Sequence, residues 1–180
     1  SAPDYITVDS GDGGTGAAPM PLMDNVGLTI KESLPMASDV FYRYALHERI
    51  RIIASGKLIT PAEVAWALAS GADFVNSGRG FMFSLGCIQA MRCNKNTCPT
   101  GVTTHHPHLQ KGLNPEDKAL KVANYCRGII HDVETIAHSC GVTRPRLLKR
   151  NHVRIVQDTG LSIPMDQLYP YPEILSEYKE

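Results

Sequence analysis

No sign of charge dominates this chain. Lys and Arg total 18, Asp and Glu total 18, and the formal net charge is zero. That balance argues against a nucleic-acid or anionic-membrane partner, both of which need a basic surface. Apolar runs are short, and none approaches the roughly 20 residues that span a bilayer. No basic stretch followed by an apolar one opens the chain, so no signal peptide is expected. Ser1 stands where an initiator Met would, which points to a processed chain or a fragment. Cysteine is scarce: five residues, an odd number and too few for a disulfide scaffold. A reducing, cytoplasmic compartment is therefore expected. Internal repeats and low-complexity segments are missing. So are the Walker A and Rossmann fingerprints, because "GDGGTG" lacks the Lys-Ser/Thr pair and no acidic residue follows at the required distance.

What is present is ordinary for a globular domain: 180 residues, 43% hydrophobic and 20% charged, enough for a real core. "YITVDS" (5–10) is rich in β-branched and aromatic residues and reads as a strand. A polar, Pro-containing connection through Pro35 follows its glycines. Residues 36–47 show helical periodicity. "RIIASG" (51–56) reads as a buried strand ending in glycine. "TPAEVAWALASG" opens on a capping box, with Thr60 as N-cap, Pro61 at the first helical position and Glu63 three residues on; Gly71 is the expected C-cap. "ADFVNSGRG" supplies a third strand (73–77), and a helical pattern runs from Gly80 to about Arg92. A long helix is expected over 115–139, capped by Asn114 and ended by Gly141. "HVRIVQD" reads as a short strand or extended segment, and the Pro-containing tail as extended.

Strand and helix thus alternate three times, with glycines at each strand's C-terminal end. Such alternation predicts an α/β fold of parallel strands with crossover helices. Two architectures fit. One is a small open sheet. The other is the last three β/α units of a (β/α)8 TIM barrel with a C-terminal helical tail, since a whole barrel needs about 250 residues. The boundary falls at 104/105, with 1–104 as barrel and cysteine loop and 105–180 as tail.

The glycine sites follow three successive strands. In a parallel fold all three loops gather at one mouth, where backbone N–H groups and a guanidinium such as that of Arg79 suit a phosphate. Gly13 and Gly14 leave no side chain in the way of a flat ring. For any one site the plainer reading is a simple turn, because glycine is common at strand ends.

"GCIQAMRCNKNTCPTG" places three of the five cysteines within twelve residues. On a continuous helix Cys87 and Cys93 would stand about 120° apart, so a shared ion requires the helix to end near them. Asn94, Asn96, Pro99 and Gly101 are breakers that allow Cys98 to curl back. Thiolates gathered this closely repel one another unless a metal neutralises them. Zinc would take a fourth ligand from His105, His106 or His108, but its paired cysteines usually stand closer. An iron–sulfur cluster fits loosely spaced thiolates in one loop with Pro after the last, as three irons or as four with a distant ligand. Unligated cysteines and a solvated histidine loop are the bland alternatives. Cys126 and Cys140, in the helical tail, read as buried core thiols.

Taken together, "ITVDSGDGGTGAAPMPLMDNVGL" and "RIIASGKLITPAEVAWALASGADFVNSGRGFMFSLGCIQAMRCNKNTCPTGVTTH" resemble the FMN-binding synthase domain of glutamate synthase, most closely the stand-alone forms without a glutaminase domain. The likeness is strong over about 5–105 and weaker to about 172. It implies a (β/α)8 barrel with FMN at the mouth and a [3Fe–4S] cluster on Cys87, Cys93 and Cys98. Gly13, Gly14 and Thr15 would border the flavin; Ser55, Gly56, Lys57, Gly78 and Arg79 would hold its phosphate. The implied reaction condenses 2-oxoglutarate with ammonia or a glutamine-derived amine to 2-iminoglutarate, which takes hydride from reduced FMN to give L-glutamate. Electrons would come through the cluster from ferredoxin or an NADPH-oxidising subunit. The resemblance starts partway through that barrel, so the first strands and the 2-oxoglutarate grip are expected elsewhere and no catalytic residue is assigned. The chain alone is expected to hold FMN weakly and to be inactive. An electron-transfer module, or a non-catalytic piece of a truncated reading frame, stands as the alternative.

Overall fold

In the computed structural model, residues 2–12, 18–19 and 21–178 are described. Three strands, β1 (Tyr5–Asp9), β2 (Arg51–Ser55) and β3 (Phe74–Asn76), form one sheet in that order. Both pairings are parallel: Asp9 lies opposite Ser55, and Ser55 opposite Asn76. The expected α/β class with a parallel sheet is what the chain adopts.

Helix α1 (Ile30–Arg43) links β1 to β2. It begins six residues before the sequence periodicity suggests and takes Pro35 inside. The reason is local. The Thr29 N–H donates to Glu32 Oε2 at 3.2 Å, so a capping box starts the helix upstream of the proline. Ile30, Leu34, Ser38 and Phe41 then form a buried stripe at helical spacing. Ile30, Leu34 and Phe41 pack with Ile50, Ile52, Ala54, Leu58 and Ala67 in the main core. Burying one Leu or Ile side chain there contributes about 2 kcal/mol.

Helix α2 (Pro61–Ala69) crosses to β3. Its capping box is the one expected: Glu63 Oε2 accepts the Thr60 N–H at 2.8 Å, and Thr60 Oγ accepts the Glu63 N–H at 3.3 Å. Gly71 follows with φ +115°, and a Cβ on it would collide with the Ser38 hydroxyl.

Helix α3 (Gly78–Ser84) is shorter than expected. Leu85 caps it and Gly86 turns left-handed at φ +95°. The chain then runs irregularly past a short turn α4 (Pro107–Gln110) into α5 (Pro115–Ser139), whose bounds and Asn114 cap are as predicted. Helix α5 packs on α2 and α3. Around it a second core joins Ala65, Ala69, Ala137 and Leu148.

The tail is not merely extended. β4 (Arg154–Val156) pairs antiparallel with β5 (Ser162–Pro164), and α6 (Met165–Leu168) follows. Arg150, wholly buried, ties this tail to α1: it pairs with Asp39 at 2.6 Å and donates to the Tyr169 carbonyl at 2.8 Å.

On β1, Tyr5 is 62% exposed and Ile6 38%, while Phe74 on β3 is 48% exposed. Parallel strands normally have both faces covered; Tyr5 and Ile6 have little over them, whereas the Arg146 guanidinium lies over the Phe74 ring, 5.0 Å from its centre. Among the described residues, no helix is long and apolar enough to cross a membrane.

Candidate functional site

The C-terminal ends of the three parallel strands face one way, so the loops after them meet. Ser55 closes β2, and its carbonyl accepts the Ser10 N–H at 3.0 Å, binding the first two loops together. Gly56 is buried with φ +142°, and any Cβ would drive into the Ser10 side chain, so only glycine suits this point. Lys57 follows, itself left-handed at φ +47°. Gly78 opens α3, with open space where a Cβ would stand, and Arg79 sits in the first helical turn. The structure therefore brings Ser55, Gly56, Lys57, Gly78 and Arg79 to the same edge of the sheet. Gly13, Gly14 and Thr15, expected beside the flavin, lie outside the described residues.

Lys57 and Arg79 converge on one group, the Asp24 carboxylate, whose Oδ1 lies 3.0 Å from Lys57 Nζ and 3.3 Å from Arg79 Nη2. Lys57's hydrogen bond holds the Asp24 carboxyl below its ordinary range; burial opposes it, and the charges of Arg79 and Lys57 add to the lowering. Asp24 escaped the sequence reading, which treated its segment as a connection. Nothing local marks it, because its cations arrive from positions 33 and 55 residues away.

Beside Lys57 lies a cavity of about 500 Å³, between the first turns of α1 and α2. Asp12, Ile30, Leu58, Glu63 and Trp66 are among its walls. Asp12 accepts the Ile30 N–H at 2.6 Å and so pins the start of α1 to the first loop.

A third anchor comes from α5. The Tyr125 hydroxyl donates to the Ile59 carbonyl at 2.7 Å and lies 3.0 Å from Ser77 Oγ. One phenol thus bridges the loops after β2 and β3. Gly80 is required beneath it, since a Cβ there would overlap the phenol oxygen.

The cysteine segment departs from expectation. Because α3 ends at Ser84, Cys87 lies beyond the helix, and the helical angle between Cys87 and Cys93 does not apply. Cys93 opens a 3-10 turn, Cys93–Lys95. Cys98 is buried. Gln89, Met91 and Asn96 are all left-handed, so the chain bends repeatedly through this stretch. All five cysteines are free thiols. Among the described residues no three His, Cys, Asp or Glu side chains converge closely enough to hold a metal ion. The structure does not bring Cys87, Cys93 and Cys98 into a closed ligand set.

The donor chemistry nonetheless suits an iron–sulfur cluster. Burial alone would raise the Cys98 pKa. The Thr100 hydroxyl and the backbone N–H groups of Thr103 and Thr100 outweigh it and bring the value to about 6, so the thiolate is available. His105, His106 and His108 are exposed, like a solvated loop. Cys126 and Cys140 are half-buried instead of sealed in the core, although Cys140 packs against the second cluster.

Fold and site together describe an α/β module with a glycine-lined cationic mouth and a cysteine loop just beyond its last parallel strand. The family model for the conserved region in glutamate synthase matches residues 1–143, and the chain belongs to the glutamate synthase family. It is 45% identical over 166 residues to the glutamate synthase large subunit-like protein YerD of Bacillus subtilis, an alignment covering 92% of this chain and 32% of that protein. It is 35% identical over 152 residues to the archaeal glutamate synthase [NADPH] of Methanocaldococcus jannaschii, covering 84% and 30%. The chain spans about a third of the length of these relatives.

Proposed function

We propose that this chain is the flavin-phosphate and cluster end of a glutamate synthase-type oxidoreductase, supplying the last three β/α units of a (β/α)8 barrel. The convergence of Lys57 and Arg79, from loops after adjacent parallel strands, carries the reading. Family membership and the exposed apolar residues of β1, which other barrel strands would cover, support it. On this view residues 1–104 form barrel and cysteine loop, and 105–180 form the tail that braces them.

Each residue's task follows from its place. Gly56 lets backbone approach the ligand closely. Lys57 offers a point charge and Arg79 a planar fork for the phosphate monoester of FMN. Tyr125 holds the two loops at a fixed separation. Gly13, Gly14 and Thr15 are assigned to the flavin border on the family resemblance alone. Cys87, Cys93 and Cys98 would hold a [3Fe–4S] cluster, Cys98 being the thiol already favoured as thiolate. Bound FMN would supply hydride transfer to the imine of 2-oxoglutarate and ammonia or a glutamine-derived amine, and the cluster single-electron transfer from ferredoxin or an NADPH-oxidising subunit. Free thiols suit a reducing cytoplasm.

The test is FMN binding by calorimetry, run to millimolar ligand so that weak association registers. Arg79→Ala is expected to weaken FMN about tenfold, in the range of a lost charge-assisted hydrogen bond. It should leave iron content unchanged. FMN affinity indifferent to Arg79→Ala would overturn the phosphate assignment.

A further inference from the structure

The two cations at the strand ends already face an anion, and that anion belongs to the chain itself. One oxygen, Asp24 Oδ1, receives both Lys57 and Arg79, as one oxygen of a phosphate would. We propose that Asp24 is an exchangeable counter-ion: it fills the anion site while no ligand is present and sets the charge a ligand must carry to displace it. The proposal rests on reading Lys57 and Arg79 as phosphate anchors, and it adds a selectivity residue to that site.

Three observations favour exchange over a fixed structural tie. First, the contact is reachable. The side chains of Lys57, Arg79 and Asp24 are 37%, 24% and 34% exposed, so water and ligand have access and each ion pair is individually weak. Second, the cations and the carboxylate are mounted differently. Lys57 and Arg79 sit directly after hydrogen-bonded strands that are locked in register. Asp24 stands in the long segment between β1 and α1, on a left-handed backbone at φ +62°. The described residues around it make short-range turns such as the Asn25 side-chain bond to the Met23 carbonyl, and the Gly11 N–H donates to the Leu28 carbonyl. When the site changes occupant, the carboxylate is the part able to move.

Third, the charges favour one class of ligand. Asp24 brings one negative charge to the two cations it touches. A phosphate monoester dianion brings two, and its several oxygens can serve both cations at once. A monoanion offers no more than Asp24 already does. The site as built therefore admits a terminal phosphate dianion and resists lactate- or acetate-like carboxylates. A ligand lacking the phosphate, such as riboflavin, has no means to unseat Asp24.

The test is calorimetry of the protein with inorganic phosphate, FMN and riboflavin. Asp24→Asn removes the charge and keeps a residue that tolerates the left-handed region; Asp24→Gly is a second neutral variant with the same backbone freedom. Both are expected to tighten phosphate and FMN roughly two- to thirty-fold, the span of two exposed ion pairs, and to leave riboflavin unchanged. Should both variants leave phosphate affinity unaltered while Arg79→Ala weakens it, the counter-ion role is overturned and the phosphate site stands. Should Arg79→Ala also have no effect, both readings fall. Riboflavin tightening as much as FMN would overturn the proposal too, because the gain would then owe nothing to phosphate charge.

Discussion

Replacing Asp39 by Ala puts the tie between the tail and α1 to a quantitative test. Among the described residues, Arg150 is the largest side chain fully shut from solvent. Its guanidinium lies 2.6 Å from Asp39 Oδ1, 2.8 Å from the Tyr169 carbonyl and 3.4 Å from the Pro35 carbonyl, and stacks 4.5 Å from the Tyr171 ring centre. Asp39→Ala removes the only carboxylate in that set. Stranding a buried charge costs about 3–5 kcal/mol. Asp39 itself is 29% exposed, so water can reach the vacated place, and the lower figure of about 3 kcal/mol is the better expectation. For a chain of this size that corresponds to a fall in Tm of roughly 6–12 °C, read by circular dichroism in reversible thermal melts. Arg150→Met keeps apolar bulk and strands no charge, so it should cost less. Adding Asp39→Ala to it should then cost little more. A shift below about 2 °C for Asp39→Ala, or a double variant that loses the sum of both singles, would refute the reasoning.

Two further outcomes are expected. Cys93→Ser should abolish iron retention in anaerobically prepared protein, by colorimetric iron assay; iron equal to wild type would remove Cys93 from the ligand set. Glu63 gives a pH signature. Burial pushes its carboxyl up, but the N–H groups of Thr60 and Ile59 outweigh this and hold it below the ordinary value. Its contribution is therefore complete above the unfolded carboxyl pKa of about 4.3. It fades as pH drops through the lower folded value. Glu63→Gln keeps a capping-box acceptor and removes only the charge at the helix N-terminus, so it should lower the urea midpoint near neutrality by an amount equivalent to about 0.3–1 kcal/mol and flatten the acid limb. An acid limb as steep as in wild type would show that Glu63 does not cause it.

Legibility in the sequence followed locality. The α2 capping box and the whole of α5 could be read because Thr60–Glu63 and Asn114–Pro115 are signals spanning four residues or fewer. The start of α1 was obscured because Pro35 is an ordinary helix breaker, while the competing signal, Thr29–Glu32, lay in a segment with no apolar run before it. The end of α3 was overrun because Cys87, Ile88 and Met91 continue a helical apolar pattern that Gly86 interrupts. "HVRIVQD" offers β4 as a short strand, but its pairing with β5 is not legible, because each strand is only three residues long. Lys57 and Arg79 could be nominated as cations after strands. Asp24 and Tyr125 could not, since their roles exist only once loops from distant parts of the chain are brought together.

The register of the parallel sheet has a consequence for ligand size. Ser55 and Asn76 are paired across neighbouring strands, so the two anchoring loops start about 4.8 Å apart, a gap dictated by main-chain hydrogen bonding. Side-chain replacements near the strand ends leave that spacing as it is. For the phosphate site proposed above, the distance between its two loops is therefore fixed by the sheet, and changing it would require re-pairing the strands themselves.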